Sequence, residues 1–217
     1  MFVTLEGIEG CGKSTQAKLL ARRFRREGYD ALLTREPGGT AIGRHIRQVI
    51  LDPNHHRMAP EVELGLYFSD RAQHLRELVW PALERGRIVV CDRFTDSTLA
   101  YQGYGRGIPL GRIRSLDRIM TGGFRPDLTL LLDLAPEEGL FRARERNRSK
   151  SLGKEGRFEE EELRFHERVR AGYLRMARRE PKRYLVLPAQ GSRHRVHELV
   201  WSRVLATCGK ALRKRKL

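Results

Sequence analysis

Residues 7 to 14 read Gly-Ile-Glu-Gly-Cys-Gly-Lys-Ser, a full match to the pattern G-x-x-x-x-G-K-[ST], with Thr15 following. The chemistry of that spacing is the binding of a polyphosphate. Gly7, Gly10 and Gly12 let main-chain N–H groups approach an anion with no side chain in the way. Lys13 offers a cation to the β- and γ-phosphates of such a ligand, and Ser14 a hydroxyl to a magnesium ion. Ile8, Glu9 and Cys11 complete the loop. An apolar run, Met1 to Leu5, comes before it and a helical pattern begins near Lys13. Strand, glycine turn and helix N-terminus together aim several N–H groups at one point.

A phosphate loop alone does not say where the phosphoryl group goes. Three further sets of residues bear on that. Asp92 and Arg93 end an apolar run, where ligands of a parallel sheet collect. Asp92 can reach the magnesium ion, directly or through water, and Arg93 can hold a phosphate with both arms of its guanidinium. Thr34-Arg-Glu-Pro-Gly-Gly-Thr40 forms a turn that brings backbone around Pro37 close to a substrate, and Arg47 follows in the next helix, within reach of an acceptor phosphate. Phe68 and Arg71 stand at i and i+3 on a long helix, so a ring and a guanidinium share one face. Such a pair can stack on a base and hydrogen-bond its edge. His74 reads as an ordinary helix histidine.

The elements that must position these groups alternate. Apolar runs at 2–5, 31–33, 88–91, 128–134 and 184–187 are short and rich in Val, Ile and Leu, as suits strands covered on both faces. Helical patterns lie between them. Ala17, Leu20, Ala21 and Phe24 share a face that ends at Gly28; residues 61–80 form a long helix before Pro81 and a turn at Gly86. Another runs over 159–179 from an acidic start, and a last one from about His194 toward the C-terminus. Five strands with interposed helices predict a doubly wound α/β fold in a single domain, residues 1–217. Residues 147–156 read as a mobile loop between two helices.

Composition sets the outer limits. The chain has 217 residues, 40% of them hydrophobic, enough for a substantial core, and no stretch approaches a membrane span. The first strand begins at once, with no basic leader ahead of an apolar segment. Three widely spaced cysteines, Cys11, Cys91 and Cys208, give no disulfide or metal pattern and suit a reducing compartment. The expected location is the cytoplasm. The formal charge of +16 raises nucleic acid as a partner. A basic tail over about 208–217 reads as a solvated helix end, and no basic stripe interleaved with aromatics suggests single-strand stacking. Nucleic acid is therefore not expected as a partner.

Taken in order, these motifs resemble the thymidylate kinase family. The matching stretches are Gly7–Thr15, Thr34–Thr40, Asp70-Arg-Ala-Gln-His74, Asp92-Arg93 with Ser97-Thr98, Ala100-Tyr-Gln-Gly103, Gly105-Arg-Gly107 and Pro126–Asp133. The resemblance extends to about residue 205. It implies the P-loop nucleoside-monophosphate-kinase fold, a five-stranded parallel sheet flanked by helices with a small lid. It also implies a homodimer and transfer of the γ-phosphate of Mg-ATP to dTMP, giving dTDP. By resemblance, Phe68 stacks on thymine and Arg71 reads its carbonyl edge. Ser97 and Thr98 contact the base and its surroundings, and Tyr101 crowds the sugar 2′ carbon. Arg47 and Arg93 clamp the acceptor phosphate, and Glu9 approaches the 3′-hydroxyl.

The loop stretch Ile8-Glu9-Gly10-Cys11 carries no basic residue, whereas Arg142, Arg144, Arg146, Arg148, Lys150, Lys154 and Arg157 crowd one segment against Glu145 and Glu155. This resembles the bacterial-type arrangement, in which a lid, here about 142–158, closes over the donor and supplies the catalytic arginine. Arg142 and Arg146, at i and i+4, can act together. Two alternatives stay open on residues alone. One is a different nucleotide or nucleoside kinase, although a nucleoside would leave Arg47 and Arg93 without an anion. The other is a P-loop ATPase acting on nucleic acid. A pure binding protein fits poorly with intact Lys13, Ser14 and Asp92.

Overall fold

The five apolar runs pair into one parallel sheet: β1 (Phe2–Glu6), β2 (Ala31–Arg35), β3 (Ile88–Asp92), β4 (Leu128–Asp133) and β5 (Tyr184–Pro188), in the order β2-β3-β1-β4-β5. The computed structural model describes residues 1–150 and 157–213. Every residue of β1 is buried, as its unbroken apolar run predicts for a central strand. Side chains alternate between two cores. Val3 and Leu5 join the larger one; Phe2 joins a smaller one with Val79, Val89, Cys91 and Phe94. Leu5 pairs with Asp92, so β1 and β3 end side by side. The chain passes from β1 to β2 and back to β3 on one side, then crosses β1 to β4 on the other, which opens a crevice at the carboxyl ends of the strands.

Helix α1 (Lys13–Arg26) buries Ala17, Leu20, Ala21 and Phe24 on the expected face. Leu20 and Phe24 are fully buried, each stabilising the fold by about 2 kcal/mol. Gly28, at φ 84°, ends the run. Helix α2 (Ala41–Leu51) starts on a Thr40 cap that accepts from the Gly43 N–H.

The long helix departs from expectation. α3 (Pro60–His74) continues through a π turn, Leu75–Val79, into α4 (Trp80–Glu84), so Pro81 does not stop it. Pro81 stands directly after the π turn, at the start of α4. After β3, α5 (Thr95–Thr98) passes into a second π segment, Leu99–Gly105, and then α6 (Leu110–Thr121). The closely spaced Gly103, Gly105 and Gly107 hide this helical stretch from pattern reading.

α7 (Pro136–Lys150) takes up the first half of the expected lid, so residues 147–150 are helix rather than loop. Residues 151–156, with Lys154 and Glu155, lie outside the described residues, as do 214–217 of the basic tail. α8 (Leu163–Arg179) begins later than expected, with Glu159 and Glu160 in a turn and Glu162 at the cap. α9 (Arg193–Arg213) packs on α1. Among the described residues, no helix is long and apolar enough to cross a membrane.

Candidate active site

A cavity of about 480 Å³ opens over the ends of β1 and β3. The phosphate loop forms one wall. Gly12, at φ 94°, caps α1 in the left-handed region, so the helix N-terminus points at the cavity. Gly10, at φ 68°, has no room for a side chain, since a Cβ there would lie 1.9 Å from Gly139 O on α7. Gly7, Ile8 and Cys11 shape the loop from behind, off the cavity wall.

Lys13, Ser14 and Thr15 line the cavity. Lys13 Nζ donates to Ile8 O at 2.5 Å and lies 3.4 Å from Cys11 Sγ. Ser14 Oγ donates to Asp92 Oδ2, and Asp92 Oδ1 is buried with no hydrogen-bond partner among the described residues.

Arg93 crosses the floor. It is the one non-glycine residue described with positive φ, 73°, a conformation that costs about 1–3 kcal/mol and persists where surroundings enforce it. Its N–H donates to Leu5 O at 3.1 Å. Nη2 donates to Glu9 Oε1 (2.9 Å) and Tyr101 Oη (3.2 Å), and Nη1 to Gly7 O (3.3 Å) and Ser97 Oγ (3.2 Å). Tyr101 Oη also donates to Glu9 Oε1 at 2.6 Å. Burial alone would raise the Glu9 pKa, but His166, Arg93 and Lys13 outweigh it and hold the carboxyl well below its ordinary range. A carboxylate and a guanidinium thus face the cavity together, each ionised.

Arg71 closes the far end. Its guanidinium sits between two rings, with Cζ 5.0 Å from the centroid of Phe68 and 5.2 Å from that of Phe94. Nε donates to Glu36 Oε2 at 2.7 Å and Nη2 to Thr98 Oγ1 at 3.0 Å. Nη1 is buried and has no hydrogen-bond partner among the described residues, although Arg71 lines the cavity.

This arrangement corrects the assignment of Phe68. The ring is 0% exposed and off the cavity wall, because it packs against Arg71 from inside the core. Tyr67 lines the cavity instead. It stands at i, i+4 to Arg71 rather than i, i+3, and sequence alone offered no way to choose between neighbouring aromatics. Thr98 is likewise off the wall and serves Arg71. Ser97 reaches the wall, but its hydroxyl donates to buried Glu6 at 2.6 Å. Pro37 and Arg47 both line the cavity, with Arg47 Nη1 donating to Pro37 O at 3.1 Å.

The arginine-rich segment divides. Arg142 and Arg146 face the cavity. Arg142 pairs with Glu138 and donates to Ala189 O at 3.2 Å; Arg146 donates to Glu159 Oε1 at 3.0 Å. Arg144 and Arg148 are exposed. Arg157 is no lid cation. It is buried, with Nε on Ile50 O and Nη2 on Glu63 Oε2, each at 2.6 Å, and it anchors the segment to α2 and α3. Pattern reading also gave no role to Glu159 and His166, which fall in no motif, or to Glu36 within the Thr34–Thr40 turn.

The thymidylate kinase family model matches residues 5–200. A thymidylate kinase of Desulfovibrio desulfuricans is 55% identical over 190 residues, covering 87% of this chain and 88% of that protein. One from Synechococcus sp. is 51% identical over 217 residues, covering 97% and 99%. A crystal structure of thymidylate kinase from Ehrlichia chaffeensis superposes with a TM-score of 0.75 at 32% identity, covering 94% and 97% of the two chains.

Proposed function

This chain belongs to the thymidylate kinase family and phosphorylates dTMP to dTDP by ATP-dependent transfer, and from that premise we propose how its own residues divide the work. The observation that carries the assignment is that one cavity joins a phosphate loop to a buried arginine with an unused N–H. The nucleic-acid ATPase alternative is not favoured.

In this reading the loop from Gly7 to Thr15 binds ATP, its N–H groups and Lys13 holding the phosphates in place. Ser14 and Asp92 fit a magnesium ion, since Asp92 keeps a buried oxygen unpartnered beside the Ser14 hydroxyl. Few protein oxygens are what this ion takes when phosphates supply the rest. Magnesium, when bound, neutralises charge on the phosphates. Arg93 and Arg47 hold the acceptor phosphate, Tyr67 presents its ring to the base, and Arg71 Nη1 donates to a base carbonyl. Glu9 accepts from the 3′-hydroxyl, Tyr101 crowds the 2′ position, and Pro37 and Ser97 shape the wall. Arg142 and Arg146 leave Glu138 and Glu159 for the transferring phosphoryl group, where their charge stabilises the transition state and excludes water.

The whole chain forms one kinase domain with a lid at about 142–158. It works in the cytoplasm, a reading that its free cysteines suit. It acts as a homodimer. Ile42, Val62 and Ile119, exposed apolar residues on the contacting helices α2, α3 and α6, support that state. The test is a coupled assay with Mg-ATP and a panel of acceptors: dTMP is turned over, while thymidine and dCMP are poor. Equal rates with dCMP would count against the base assignment.

A further inference from the structure

Four buried side chains form a hydrogen-bonded chain that ends on the base-reading arginine. His74 Nε2 lies 2.7 Å from Thr34 Oγ1, and His74 Nδ1 lies 2.8 Å from Glu36 Oε1. Glu36 Oε2 accepts from Arg71 Nε at 2.7 Å. His74 is 0% exposed and Arg71 1%. The glycine turn closes over the ring, since a Cβ on Gly39 would stand 2.6 Å from His74 Cδ2.

The chemistry gives this chain a direction. An ionised carboxylate only accepts, so His74 carries a hydrogen on Nδ1; the Thr34 hydroxyl, which can donate or accept, meets Nε2 in either form of the ring. Glu36 is then held through both oxygens, one by α3's His74 and one by α3's Arg71. Arg71 has Nε and Nη2 occupied and its two faces covered by Phe68 and Phe94. What remains is Nη1, buried and unpartnered among the described residues at the cavity. Its direction depends on Glu36 staying in place.

We propose that His74 is a positioning residue for acceptor recognition: by holding Glu36 Oε1 it fixes the Arg71 guanidinium so that Nη1 meets the carbonyl edge of the bound pyrimidine. The proposal rests on the assignment of Arg71 to the base and adds a residue two contacts away from it.

Two conservative variants separate the two contacts of the ring. Asparagine sets its amide nitrogen near the place of Nδ1 and can still hold Glu36; glutamine sets its amide near Nε2 and can still hold Thr34. The expected result is a KM for dTMP raised about tenfold in His74→Gln, with kcat and the KM for ATP within about twofold of wild type. His74→Asn stays near wild type. A packing role would move both variants alike, or shift the KM for ATP equally, and either result overturns the proposal. Thermal unfolding confirms that each variant is folded. If His74→Gln does not fold, Glu36→Gln replaces it: the same selective rise in the KM for dTMP is expected, and an unchanged KM overturns the proposal. Arg71→Ala tells the two levels apart. An unchanged KM for dTMP in that variant refutes the base assignment itself. A raised KM there, with His74→Asn and His74→Gln indistinguishable, refutes only the role of His74.

Discussion

Arg93 Nη2 donates to Glu9 Oε1 at 2.9 Å and so ties the end of β3 to the phosphate loop. Both residues line the cavity. Both groups keep their charge: Glu9 is held low by its cationic neighbours, and Arg93 is held well above its ordinary value because Tyr101 and Glu9 outweigh burial. The guanidinium uses both arms, toward Gly7, Glu9, Ser97 and Tyr101.

A lysine cannot reproduce that fork. Arg93→Lys should lower kcat/KM for dTMP about 100-fold, roughly 2.7 kcal/mol of transition-state stabilisation. Steady-state kinetics with dTMP varied gives the value, and activity near wild type would remove Arg93 from the acceptor site.

Tyr67 and Phe68 are neighbours with opposite surroundings. Tyr67→Ala should raise the KM for dTMP by about tenfold or more, since stacking on a base is worth about 1–3 kcal/mol, and leave the KM for ATP alone. Phe68→Ala should instead destabilise the fold by about 3–5 kcal/mol through an internal cavity, read by denaturant unfolding. The reverse pattern would restore Phe68 as the stacking ring.

Gly10 and Gly139 touch where the phosphate loop meets the start of α7, the helix that carries Arg142 and Arg146. A Cβ on Gly139 would lie 2.5 Å from Glu9 O, a backbone atom with little freedom to yield. Alanine favours a helix by about 1 kcal/mol, so Gly139→Ala sets local preference against this contact. The contact should prevail, with kcat falling about tenfold while the far-UV spectrum stays native. Unchanged kcat with raised stability would mean that the helix shifts freely.

Glu6, at the end of β1, is fully buried and accepts from Phe94 N–H, Ser97 Oγ and Tyr173 Oη. Burial first, and the nearby Asp96 second, push its pKa up to about 7 from 4.5. The folded state therefore binds this proton more tightly than the unfolded chain. The stability it contributes is full below about pH 4.5 and is lost as pH rises through about 7, a change on the order of 3 kcal/mol. Glu6→Gln should flatten that part of the stability-versus-pH curve. An identical curve in the variant would place the titration elsewhere.

Much of this architecture is legible in the chain because strong local signals coincide. The five strands are apolar runs; Asp92 ends β3, and Lys13 and Ser14 open the helix that follows β1, on the side where a parallel sheet gathers its strand ends. What stays hidden depends on packing. Nothing in Tyr67-Phe68 tells which ring faces the core, because that turns on how α3 packs against α2 and α6. Arg157 looks like its basic neighbours until Glu63, far off in sequence, claims it in the interior. His74 closes the Asp70–His74 stretch, but nothing there shows its contacts, since its partners Thr34 and Glu36 meet it only once β2 and α3 are folded together. The helical run from Thr95 to Gly105 is obscured by Gly103 and Gly105, which its π segment accommodates.

The most direct measurement uses a single molecule joining adenosine to thymidine through a polyphosphate bridge, titrated calorimetrically in the presence of magnesium. If one cavity holds donor and acceptor head to head, it should bind one per chain, displace both ATP and dTMP, and bind at least about 100-fold tighter than either nucleotide alone. Displacement of ATP with dTMP still able to bind would contradict the shared cavity.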